Sequence, residues 1–110
     1  MAKYLLIESR DPFENNVVAR QYDLAANLVK EGNEVTLFLV QNGVLVARQG
    51  ARAEQFAALA ANPRVKVLAD TFALQERGIP TNALLSGVQA SDMDTLVDLL
   101  MVDGQKAIWH

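Results

Sequence analysis

At 110 residues, with 51% hydrophobic and 21% charged residues, the chain has the composition of an ordinary globular domain and buries roughly 65% of its unfolded surface, enough for a core without staples. The formal net charge is -3 and the basic residues are scattered, which argues against a nucleic-acid surface, and no apolar run approaches the roughly 18 residues of a membrane span. A cysteine count of 0 excludes disulfides, thiolate zinc sites and cysteine nucleophiles.

Met1-Ala2-Lys3-Tyr4 runs directly into a strand pattern without a leader-like apolar region, and a cytoplasmic location is expected. Tyr4-Leu5-Leu6-Ile7, bounded by Lys3 and Glu8, is the short apolar run of a strand buried on both faces. Asp11 then precedes Pro12 and Glu14, combining an N-cap acceptor, a residue favoured at the first helical position and the acidic partner of a capping box. A helix of about twenty residues and about 30 Å is expected from here to the stop at Gly32. Its apolar side is Val17, Val18, Leu24, Ala25, Leu28 and Val29.

Val35-Thr36-Leu37-Phe38-Leu39-Val40 is β-rich, almost wholly apolar, and belongs in the middle of a sheet. Gln41-Asn42-Gly43 breaks it, and Arg52 to Ala61 forms an alanine-rich helix with Phe56 and Leu59 inward, ended by Asn62-Pro63. Val65-Lys66-Val67-Leu68 is a third strand, after which Asp70 or Thr71 caps a short helix through Arg77, closed by Gly78. Ile79 to Ala90 has no clear periodicity and is assigned as a connection. Ser91 caps a last helix, with Asp92 and Asp94 in its first turn and Met93, Leu96, Val97, Leu100 and Met101 at helical spacing; Met93 and Met101 are expected in the core. Ala107-Ile108-Trp109 forms a terminal strand.

Strands alternating with helices make successive right-handed crossovers. The expected fold class is α/β: three-layer α/β/α with a mainly parallel four- to five-stranded sheet and flavodoxin-like winding, as a single domain over residues 1–110. In such sheets ligands bind beyond the carboxyl ends of the strands. That edge gathers Glu8, Ser9, Arg10 and Asp11 after the first strand, Gln41, Asn42, Gly43 and Val44 after the second, and Ala69, Asp70 and Thr71 after the third. The ligand-binding candidates are Glu8, Ser9, Arg10, Gln41, Asn42, Gly43, Ala69 and Asp70.

Neither a G-x-G-x-x-G nor a G-x-x-x-x-G-K-[ST] pattern is present, and Arg10-Asp11-Pro12 stands where a phosphate cradle needs glycine or hydroxyl residues; no cofactor is expected. Glu8 and Asp11 could form an acid/base pair, but the commoner arrangement makes Asp11 a cap and Glu8 a solvated or Arg10-paired strand end. Asp70 is likewise favoured as a cap. His110, the only histidine, has no companion at ligand spacing, so no metal site is expected and the side chain is placed at the surface or an interface. Trp109 is assigned to core or subunit contact.

The segments IESRDPFE (Ile7 to Glu14), EVTLFLVQNGV (Glu34 to Val44), LADTFALQERGI (Leu68 to Ile79) and LLSGV (Leu84 to Val88) together resemble the DsrE/DsrF-like family, which includes the TusD-type sulfur-relay subunits. The resemblance implies the strand and helix order above and assembly into dimers, trimers or hexamers. It also implies a persulfide-carrying cysteine in the loop after the third strand, because a thiolate accepts and releases sulfane sulfur by exchange. Ala69 and Asp70 occupy that place here, so persulfide transfer is not carried over. Three functions follow in order: a non-catalytic member, homo-oligomeric or joined to cysteine-bearing family partners; a small-ligand module using Arg10 and Gln41-Asn42-Gly43; and a thiol-independent enzyme using Glu8, Asp11 and Asp70. Val44-Leu45-Val46-Ala47 and Trp109 are proposed interface segments, unless the first of these is buried internally.

Overall fold

The computed structural model describes residues 2–110. The elements are β1 (Lys3–Glu8), α1 (Val18–Lys30), β2 (Glu34–Leu39), a 3-10 segment (Gln41–Ala47), α2 (Glu54–Ala61), β3 (Val65–Asp70), α3 (Thr71–Glu76), a 3-10 turn (Thr81–Ala83), β4 (Val88–Ser91), α4 (Met93–Leu100) and β5 (Gln105–Trp109). All pairings between the named strands are parallel and the five-stranded sheet has the order β4-β3-β2-β1-β5. The α/β expectation and its upper strand count hold. The winding differs from the flavodoxin order 2-1-3-4-5: the chain steps outward from β1 to β4, and α4 then carries it back to the far side of β1. The reversal therefore falls between β1 and β5.

Strand alternation divides the sheet into two unequal faces. Leu6, Leu37, Leu39, Val67, Ala69 and Val88 pack with Val18, Tyr22, Ala25, Leu28, Phe56 and Leu59 of α1 and α2. On the other side, Leu5, Ile7, Phe38, Val40 and Leu68 meet little besides Leu96 and the half-buried Leu99 of α4. A crossover in each direction from one edge requires helices on opposite faces, and the single return crossover leaves the second face with one short helix.

Several expected boundaries move. Asp11 does accept from the backbone N–H groups of Phe13 (2.9 Å) and Glu14 (3.1 Å), but the turn does not propagate, because Asn15 makes a competing turn to the N–H of Val17 (2.9 Å). The helix begins at Val18 and has 13 residues, about 20 Å, and Val17 is exposed. Ser91 is held extended in β4 opposite Asp70, and Asp92 takes the cap of α4 instead, accepting from the N–H of Thr95 at 2.9 Å. The connection assigned to Ile79 to Ala90 contains the 3-10 turn and the start of β4.

Val44, Val46 and Ala47 are buried inside the 3-10 segment, which removes them as an interface and settles the alternative of internal packing. Met93 and Met101 are not core residues: α4 turns Leu96 toward the sheet, while Met93, Val97, Leu100 and Met101 face outward, with Met101 at 78% exposure.

Candidate functional site

At the reversal point the strand register fixes the chemistry. Ile7 pairs with Trp109, so one further step brings Glu8 beside His110, both on the α1 face by alternation. The backbone continues the ladder there: the His110 N–H donates to the Ile7 carbonyl (2.8 Å), and the N–H and hydroxyl of Ser9 donate to the His110 carbonyl (2.9 and 2.8 Å). Glu8 is fully buried. Its carboxylate oxygens lie 2.8 and 2.9 Å from His110 Nδ1, and one of them accepts from the backbone N–H of Arg10 at 3.0 Å.

This corrects both earlier assignments. Glu8 is neither solvated nor bound to the Arg10 side chain, and His110 is the partner of a buried carboxylate. The reason is physical: a carboxylate at 0% exposure is retained only with charged or hydrogen-bonded partners. Nδ1–H donates to it, which orients the ring and fixes that nitrogen's hydrogen. Beneath the pair, the Tyr22 hydroxyl is buried without a hydrogen-bond partner among the described residues. Burial, then the charges of Glu8 and Asp11, push its ionisation well above the ordinary tyrosine value.

Gly43 anchors the next loop. A Cβ at this position would collide with the Glu8 carbonyl oxygen, so only glycine lets the 3-10 segment lie against the end of β1. Asn42 is thereby presented to Arg77, whose Nε and Nη2 donate to the Asn42 side-chain oxygen at 3.1 and 2.9 Å. Ser9, Arg10 and Asn42 meet, with Asp11, Glu14 and Asn15, around a shallow polar hollow of about 170 Å³.

Asp70 ends β3 and caps α3, accepting from the Ala73 N–H at 3.1 Å through Oδ2. Its Oδ1 is buried without a partner among the described residues. Alternation points Asp70 to the α4 side, away from Glu8, and it shares a cavity of about 210 Å³ with Gln41 and Trp109. Ala69 is buried in the larger core and presents nothing to a ligand. The candidate residues therefore separate into a polar hollow, a buried pair and an acidic cavity, and Glu8, Asp11 and Asp70 do not form one constellation. Trp109, 61% exposed, lines that cavity and is no core residue. No group of three metal-ligating side chains occurs among the described residues. A wider concavity, about 540 Å³ and lined by Glu34, Thr36, Arg64, Lys66 and Gln89 among others, lies at the opposite end of the strands.

Fold and edge define a class: small parallel α/β proteins whose chain reverses beside β1 and whose loops carry polar groups beyond β1 to β3. The DsrE/DsrF-like family model matches residues 2–108, and the chain belongs to this family, which is linked in general to sulfur relay. Solved structures share the fold. A protein of unknown function, MTH1491 from Methanobacterium thermoautotrophicum, is similar at TM-score 0.84 and 18% identity, with 100% of both chains covered. The ychN protein from E. coli is similar at TM-score 0.84 and 21% identity, over 98% of this chain and 100% of its own. BT1422 from Bacteroides thetaiotaomicron, a conserved protein of unknown function, follows at TM-score 0.74 and 18% identity, over 98% and 95% of the two chains. No curated protein sequence matches the chain.

Proposed function

We propose that this protein is a non-catalytic, oligomeric component of a cytoplasmic sulfur-relay assembly, folded as one domain over residues 1–110, that contributes structure or regulation and no persulfide transfer. The observation that carries the reading is the end of β3. Where the family resemblance implies a sulfur-carrying thiol, Asp70 spends one carboxylate oxygen capping α3, and the chain has no cysteine elsewhere. Sulfane sulfur requires a thiolate to accept it.

Assembly is supported by the thin face of the sheet. Met93, Val97, Leu100 and Met101 follow the spacing of one helical stripe and are all exposed, and Trp109 is exposed on the neighbouring β5. A helix apolar both toward and away from its own sheet is built to be covered on both sides. No helix among the described residues is long and apolar enough to cross a membrane, so a second protein surface is the proposed cover.

Native mass spectrometry of the protein isolated gently from its own cells tests this reading. A homo-oligomer, or a heteromer containing a cysteine-bearing family subunit, is expected. A monomer with no partner, or sulfane sulfur carried covalently by this chain, contradicts it.

A further inference from the structure

The cavity between β3, α3 and β5 is distinct from the buried Glu8–His110 pair. Its walls include Gln41, Asp70, Phe72, Glu76, Met93 and Trp109, enclosing about 210 Å³. Two of these residues are acidic and none is basic. Asp70 is 3% exposed, and its Oδ1 has no donor among the described residues.

A buried carboxylate oxygen without a donor is costly, and the nearby cation does not serve it. The Arg77 guanidinium is spent on Asn42 (3.1 and 2.9 Å), the Ala73 carbonyl (3.1 Å) and Glu76 (3.7 Å). Apart from the Gln41 amide, the remaining walls are apolar or aromatic. A cation with an apolar body satisfies both halves: its head supplies the missing donor and counter-charge, and its stem packs on the apolar surface of Phe72, Met93 and Trp109. An anion meets two carboxylates, and a purely apolar molecule leaves the Asp70 oxygen unpaired.

We propose that this cavity binds a small organic cation, an ammonium or guanidinium group on a short apolar stem, with its charged head at the Asp70 carboxylate. The cavity shares Met93 and Trp109 with the proposed assembly surface, but the proposal rests on the acceptor at the end of β3, which the stripe of α4 does not supply. The same head group could arrive as a free amine or as a lysine or arginine side chain of an adjoining subunit.

Trp109 is the only tryptophan and lines the cavity, so its fluorescence reports occupancy directly. The purified full chain is titrated with n-pentylammonium, pentan-1-ol and pentanoate, in parallel with Asp70→Asn and Phe72→Ser. Asparagine still accepts from the Ala73 N–H and keeps the cap; Phe72 is 64% exposed, so its removal spares the fold. The proposal predicts a saturable change with n-pentylammonium alone, weakened about tenfold or more by Asp70→Asn and weakened also by Phe72→Ser. If the free amine does not bind but Asp70→Asn dissociates an oligomer seen by sedimentation, the cation is a side chain of the adjoining subunit and the chemistry stands. The proposal is overturned by equal response to pentanol or pentanoate, by amine binding unchanged in Asp70→Asn, or by no amine binding together with an oligomer indifferent to that substitution.

Discussion

Glu8 and Tyr22 show how much the molecule invests in the end of β1. Replacing Glu8 with Gln leaves one amide oxygen to serve both His110 Nδ1 and the Arg10 N–H and buries an amide nitrogen beside them, and an unfolding free energy lower by about 1 to 3 kcal/mol is expected in urea titration. Tyr22 behaves oppositely, because its hydroxyl is desolvated without a partner among the described residues; Tyr22→Phe is expected to leave stability unchanged or to raise it by up to about 1 kcal/mol. Its pH dependence has a definite sign. The folded protein holds the phenol protonated while the unfolded chain releases the proton normally, so this group is silent below pH about 10 and destabilises the fold as pH rises past that value. Absorbance titration should show Tyr22 ionising only on unfolding, and Tyr22→Phe should flatten the alkaline loss of stability. At this scale the local roles were legible in sequence. Asp11 and Asp70 cap turns within three residues of themselves, and such motifs are written in adjacent letters. The Glu8–His110 pair was not legible, because its members stand 102 positions apart and only the parallel register of β1 with β5 joins them.

The elements follow local propensity until two signals compete. The Asp11-Pro12 start was a sound cap, and it failed as a helix origin because Asn15 offered the backbone a second turn. β4 carries little sequence signal because Val88 is the only large apolar residue in its four, and an edge strand needs no more. The stripe of α4 was legible as apolar, but its orientation was not: spacing alone cannot say that the sheet takes Leu96 and leaves Val97. Leu96→Ala should therefore cost about 2 to 4 kcal/mol of monomer stability, whereas Val97→Ala should stay within about 0.5 kcal/mol under conditions where the chain is monomeric. Paired denaturant titrations at low protein concentration check the contrast. Gly43 marks the other element that packing dictates. Its Cβ position is taken by the Glu8 carbonyl, so Gly43→Ala should lower stability by about 2 to 3 kcal/mol and shift amide resonances of Ser9 and Arg10 in NMR spectra, where a loop glycine without such contact would tolerate the change.

Across the whole molecule, the return crossover from β4 to β5 sets both the site and the open surface. It puts β5 beside β1 and so creates the reversal point, and it spends only α4 on the second face of the sheet. The alternation of strands and helices made the α/β class readable, while the order β4-β3-β2-β1-β5 depends on a choice of edge that no local pattern records. The account's central claim is that the outward stripe of α4 is covered by another subunit. Sedimentation equilibrium of the purified protein and of Val97→Glu, run at micromolar concentrations, tests this most directly. An oligomer for the parent chain and a folded monomer for the variant are predicted; a parent chain that sediments as a monomer, or a variant that assembles equally well, contradicts the claim.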